Sequence, residues 1–175
     1  MNQETISTEE DTDRMVENHQ VIADVTDVPA FLRELRKISA SLGCSFICFN
    51  RAVMAGRRHV SSAVTHAIRS FQDGEQIARS IEVEALLYAA GTRQTSLIGP
   101  FGLHEGENQC YLCVIPPTPG AVTKLYHLVR PADEEEWEQL TAGKEKRLAE
   151  LFGITDAEIE VTGRERIIDL VLERV

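Results

Sequence analysis

Residues 19–25 (HQVIADV), with Val21, Ile22, Ala23 and Val25 as their apolar positions, read as a strand. Pro29 then stands where a helix can begin, and Phe31, Leu32, Leu35 and Ile38 recur at helical spacing as far as Gly43. Residues 44–50 are a second apolar strand, so the first fifty residues read as a β-α-β unit. Residues 56–71 are amphipathic: Val60, Ala63, Val64, Ala67, Ile68 and Phe71 share one arc, and Arg58, Ser62, Thr65 and Arg69 lie opposite. Asp73 and Gly74 break that helix. Residues 80–90 are apolar on nearly every side, which predicts a buried helix. Gly91 can end it, and Thr92 can cap a short further helix that Gly99 and Pro100 interrupt. Residues 109–115 form a third strand. Thr118 and Pro119 open a helix marked by Val122, Leu125, Tyr126 and Val129. Residues 134–140, rich in acids, read as a fourth strand at a sheet edge. Helical patterns resume over residues 144–152. Capping-box spacings follow at Thr155 with Glu158 and at Thr162 with Glu165, and the last helix runs to Val175.

Two β-α-β halves separated by helices predict an α+β fold. Its core would be a four-stranded antiparallel ferredoxin-like sheet, with a helical insertion at about residues 56–103 and further helices at the C-terminus. Residues 18–175 read as one domain, and residues 1–17 as a disordered acidic tail.

Composition narrows the function. A chain of 175 residues, 43% hydrophobic and 26% charged, fits a soluble globular protein with a full core. No apolar run approaches a membrane span, and the acidic N-terminus is unlike a signal peptide, so a cytoplasmic location without membrane contact is expected. A net charge of -10 excludes general affinity for nucleic acid. The charge is uneven, however. Arg51, Arg57, Arg58, Arg69, Arg79 and Arg93 face only Asp73, Glu75, Glu82 and Glu84 within that stretch, an excess of +2, which leaves -12 for the rest of the chain. Nucleic acid could therefore bind, but at one place. The Cys110-x-x-Cys113 spacing invites a zinc reading. On a strand, though, residues three apart point to opposite faces, so the cysteines (with Cys44 and Cys48) read as buried free thiols. No metal or cofactor is expected.

Catalytic signatures are absent: there is no phosphate-binding loop, no G-x-G-x-x-G, no G-x-S-x-G and no H-E-x-x-H. His59 and His66 are seven apart, too far for the helical pair that chelates one zinc. They are either half-buried polar residues or contacts to a ligand lying along the helix. Glu82 and Glu84 diverge on a helix, and Glu84 is expected to pair with a nearby arginine. The sharpest candidate is the junction after residue 90. A helix start there would offer unpaired N–H groups, with the donor fork of Arg93 and the amide of Gln94 beside it. Either this is a surface corner, or it suits a phosphate or a nucleotide edge.

Residues 56–69 (GRRHVSSAVTHAIR), residues 81–94 (IEVEALLYAAGTRQ), the Phe101-Gly-Leu turn and the closing ERIIDLVLERV resemble the kinase-binding small subunit of the KEOPS complex, the PRPK-binding protein family. The resemblance spans roughly residues 19–175. It implies a non-enzymatic subunit that binds and activates a small atypical kinase acting as an ATPase, and meets the catalytic KEOPS subunit through it. It also implies a hold on the 3′ CCA end of tRNA during formation of N6-threonylcarbamoyladenosine at position 37. Residue by residue, Gly91, Arg93 and Gln94 match the family's Gly-x-Arg-Gln, and Arg57, Arg58, His59 and His66, with Arg69 further along, match its basic helix. Thr95 stands where the family usually has isoleucine, and Gly99-Pro100 breaks a helix the family continues. A second reading keeps the kinase partner and drops the RNA, as the net charge favours. A third, an enzyme using Glu82, Glu84, His59 and His66, rests only on the presence of titratable groups.

Overall fold

In the computed structural model, which describes residues 14–132 and 135–175, one antiparallel sheet runs through the middle of the molecule. Its strands are β1 (Glu17–Val25), β2 (Ser45–Asn50), β3 (Gly106–Ile115) and β4 (Arg130–Pro131), in the order β2-β3-β1-β4. Val21 faces Cys110 and Ile47 faces Cys113 across the two central ladders, and Ile22 faces Arg130 at the β4 edge. This is the expected ferredoxin-like pairing, with β3 inserted between the two strands of the first β-α-β unit.

Helix α1 (Val28–Leu42) makes that crossover. Its start is fixed by Asp27, whose side chain accepts from the Ala30 N–H at 2.7 Å, and it ends at Gly43 in the left-handed conformation. Phe31 and Leu35 pack on one face of the sheet with Val21, Val25, Phe46, Cys110, Leu112 and Val114, closed by Ala121, Leu125 and Val129. The opposite face is covered by α2 (Arg57–Asp73) and α3 (Ile81–Ala89), which lie between β2 and β3 in the chain. There Val60, Ala63, Val64 and Ala67 of α2, with Ala85 and Ala89 of α3, meet Ile47, Phe49, Tyr111 and Cys113. Because helices cover both faces, residues 110–114 are all fully buried and read as one continuous apolar run rather than an alternation. Each such side chain contributes roughly 1.5–3 kcal/mol of transfer free energy. Cys110 and Cys113 lie in the two opposite cores, as expected from strand geometry, and all four cysteines are free.

Two elements differ from expectation. Residues 118–129 form turns around a short 3-10 segment, Thr123–Leu125, and not a regular helix. The fourth strand is Arg130–Pro131, whereas Glu135–Glu138 is a 3-10 turn. Residues 133–134 lie outside the described residues. The acidic run buries one indole, Trp137, has Leu140 packed at its end on the C-terminal core, and shows no alternation to match a pleat. That indole is fully buried, edge-on to Tyr111 with ring centroids 5.6 Å apart.

Helices α4 (Ala142–Phe152), α5 (Asp156–Thr162) and α6 (Ile167–Leu172) build a smaller core from Leu148, Ile154, Ile167, Leu170 and Val171. Thr155 and Glu158 make the predicted capping box. The second one, at Thr162, does not form. Residues 164–166 instead make a 3-10 turn after Gly163, and the last helix stops at Leu172. At the other end, Met15 and Val16 already pack on the core and Glu17 opens β1, so the ordered chain begins inside the stretch read as a tail; residues 1–13 lie outside the described residues.

Candidate nucleic-acid interface

The residues singled out from sequence sit on an antiparallel hairpin of α2 and α3. Its open end carries the start of α2 and the end of α3. Gly56 precedes α2 at φ 104 and offers no side-chain cap. The cap comes from Glu138, whose carboxylate accepts from the Arg57 N–H at 3.0 Å. A β-carbon on Gly56 would meet that carboxylate oxygen at 2.7 Å, so glycine is needed for the contact.

Arg57 pairs with Glu138 at 3.4 Å and Arg58 with Asp169 at 3.3 Å. Both arginines remain more than half exposed, and pairs of this kind contribute ~0–1 kcal/mol, so a phosphate can compete for either guanidinium. Helix geometry divides them. At about 100° per residue, Arg58 and Arg69 share one line along α2, His66 lies toward α3, and Arg57 points to the side opposite His66. Arg57 therefore belongs with Glu138 and not with the others.

His59 corrects the expectation of a ligand contact. It is completely buried. Its Nδ1 accepts from the Ala55 N–H at 3.0 Å, and its Nε2–H donates to the Ala89 carbonyl at 2.8 Å. This assignment requires a neutral ring, and burial pushes its pKa down to about 4. His59 thus ties the start of α2 to the end of α3 and has no nitrogen left for RNA. His66 is half-buried and stacks on Tyr88 with centroids 5.2 Å apart and planes 19° from parallel. Burial, and secondarily Arg69, lowers its pKa as well. Tyr88 carries no signal of a site in the sequence, because in an apolar stretch it reads as core.

The α3 terminus is a Schellman motif. Gly91 takes φ 60, its N–H donates to the Tyr88 carbonyl at 3.0 Å, and the Thr92 N–H reaches the Leu87 carbonyl at 3.1 Å. A β-carbon on Gly91 would collide with the backbone carbonyl of Arg174, so this glycine also lets the final residues pack against α3. No α-helix starts at Thr92. Its hydroxyl accepts from the Gln94 N–H at 3.1 Å, and only a 3-10 turn, Thr95–Leu97, follows. The helix-start anion site read from sequence is therefore absent. Arg93 and Gln94 stand on an exposed corner instead, and among the described residues their side chains make no hydrogen bond or ion pair.

The proposed acid–base set is not assembled either. Glu84 is buried without an arginine: Ser70 Oγ donates to it at 2.9 Å, and the Ile77 and Ala78 N–H groups at 3.0 and 2.8 Å. It is a structural acceptor that closes the loop between α2 and α3. Among the described residues no group of three or more His, Cys, Asp or Glu side chains is placed to hold a metal ion, and no helix is long and apolar enough to cross a membrane.

The structure thus defines a ferredoxin-like α+β protein carrying a helical hairpin with cations and a stacked aromatic pair at its exposed side. No family model matches the chain. Among curated proteins it is similar to "Regulatory protein Cgi121" of Methanocaldococcus jannaschii, 28% identical over 136 residues that cover 77% of this chain and 83% of that protein. The family resemblance carried by the sequence motifs is therefore borne out along most of the chain.

Proposed function

We propose that this chain is a regulatory, non-catalytic subunit of a KEOPS-type complex, that it binds and activates the small kinase/ATPase subunit, and that it holds the single-stranded 3′ end of tRNA on the α2–α3 hairpin. The regulatory part is supported by similarity to a protein named as regulatory. The RNA part rests on one observation: Arg93 and Gln94 project unengaged from the end of α3 on a molecule of net charge -10, at the end of the hairpin where α2 begins.

A single strand offers phosphates to guanidinium groups, base faces to aromatics and base edges to an amide. Arg93 and Gln94 serve the phosphate and the base edge. His66 and Tyr88 supply an aromatic platform, with Arg58 and Arg69 along the outer line of α2. Gly91 and His59 hold the framework without touching the ligand.

Binding to intact tRNA and to tRNA lacking its CCA end tests this reading. Tighter binding of the intact form is expected, and equal affinity for both refutes the tail-binding part. The ion pairs of Arg57 and Arg58 and the overall charge favour a second reading, a kinase-binding subunit that contacts no RNA. Its signature is a kinase subunit that still co-purifies with an Arg93→Ala variant whose RNA binding is unchanged from wild type.

A further inference from the structure

A polar cavity of 420 Å³ lies apart from the hairpin's outer line, between the turn after β2 and the start of α4. Three cations line it: Arg51 from the 3-10 turn Arg51–Val53, and Lys144 and Arg147 from α4. On a chain this acidic, three cations around one cavity call for compensation, and little is present. The Arg51 guanidinium donates to Gln109 Oε1 at 2.5 Å and to the Glu136 carbonyl at 3.3 Å, and stands 5.1 Å from the centre of the Trp137 ring. Arg147 donates to the Ala52 carbonyl at 3.0 Å, and Lys144 Nζ to the Trp137 carbonyl at 3.3 Å. Every one of these acceptors is neutral, and none of the three cations makes an ion pair among the described residues.

Two described acids nearby are committed elsewhere. Glu107, the acidic group in the lining, is paired with Arg130 at 2.9 Å. Glu138 favours the charge on Lys144, but its carboxylate is taken by Arg57 and by the Tyr111 hydroxyl at 3.0 Å. Lys144 is more than nine-tenths buried and fills one of its three donors. Burial first, with Arg51 and Arg147 contributing, pulls its pKa down to about 8. An unpaired ammonium facing two guanidinium groups is the arrangement that a multivalent anion stabilises.

We propose that Arg51, Lys144 and Arg147 form a binding site for a phosphoryl group, distinct from the Arg93 corner. Two guanidinium forks and an ammonium match the oxygens of a phosphate, and the cavity has room for more than the bare anion. The phosphoryl group could come from a free phosphate or mononucleotide, or from the backbone of a polynucleotide. The site does not depend on the RNA reading given above.

Trp137, the chain's sole tryptophan, lies under Arg51 and serves as the reporter. The full chain is titrated with inorganic phosphate, with a mononucleotide and with a short single-stranded RNA, each against chloride at matched ionic strength, while Trp137 emission is followed. A saturable change with phosphate is expected. Arg147→Gln and Arg51→Gln, each checked for folding by circular dichroism, are expected to weaken it about ten- to a hundredfold, the scale of a lost charge-assisted contact. Arg79→Ala, at an exposed cation outside both sites, is expected to leave phosphate binding unchanged. The RNA reading is tested separately with intact and CCA-less tRNA, so failure here and failure of that reading are separable. A preference for the RNA over phosphate identifies a backbone site, and equal or better binding of phosphate or the mononucleotide identifies a free-anion site. If chloride reproduces the change, or if both folded variants bind like wild type, the proposal is overturned.

Discussion

Replacing His59 by leucine tests the bracket between α2 and α3. Leucine fills similar space but can neither accept from Ala55 nor donate to Ala89. Both residues are buried, so neither the freed N–H nor the freed carbonyl reaches water. An orphaned buried backbone group costs ~1–3 kcal/mol, so His59→Leu should lower stability by roughly 2–6 kcal/mol at neutral pH. The histidine also carries a pH signature. Its folded pKa, about 4, lies below its unfolded value of 6.5, so the unfolded chain binds more protons in between. The contribution is complete above the unfolded pKa and is lost as pH falls toward the folded one. Linkage puts that loss at about 2 kcal/mol between roughly pH 7 and pH 5. Other groups titrate in that window, so the informative quantity is wild type minus variant. Urea unfolding at the two pH values measures it. A variant within about 0.5 kcal/mol of wild type at neutral pH, below the least cost of one orphaned group, refutes the bracket. So does an acid-induced loss as large in the variant as in wild type.

Other perturbations reach the rest of the site. Gly91→Ala forces a β-carbon toward the Arg174 carbonyl at positive φ and should cost ~1–3 kcal/mol in thermal or urea unfolding, with RNA affinity falling only as far as folding does. Arg93→Ala should leave stability unchanged and weaken tRNA binding by about 1–3 kcal/mol in a filter or fluorescence assay. Tyr88→Ala removes the surface on which His66 stacks and should weaken single-strand binding by ~1–3 kcal/mol, the scale of one base–aromatic stack. Glu84→Ala strands the Ser70 hydroxyl and two backbone N–H groups and should destabilise the chain by about 3 kcal/mol or more, whereas Glu82→Ala, whose side chain makes no hydrogen bond or ion pair among the described residues, should change stability little.

What was legible in the sequence follows from which forces are local. Helix α1 could be placed because Pro29 and Gly43 act within their own turns, and β2 and β3 because their apolar runs are long. The edge strand could not, because Arg130–Pro131 pairs through backbone contacts set by β1, while the acidic run that looked like a strand is a turn anchored by one indole. The histidines show the same division. Spacing alone reads both as half-buried polar residues or ligand contacts, yet His59 is drawn inward by two backbone groups, one of them thirty residues away, and His66 stacks half-buried on Tyr88. Nothing within a helical turn distinguishes them. Tertiary hydrogen bonds also explain why the basic residues separate into groups. Glu138 caps α2 at the Arg57 N–H and pairs with its guanidinium, Arg58 meets Asp169, and Arg93 is left on its own corner. Arg51, Lys144 and Arg147 come from distant parts of the chain and converge only because α4 packs against the turn after β2. A count of charge along the sequence therefore found the basic insertion but not its partition. That partition decides which cations a phosphate must win from a carboxylate and which it meets unpaired.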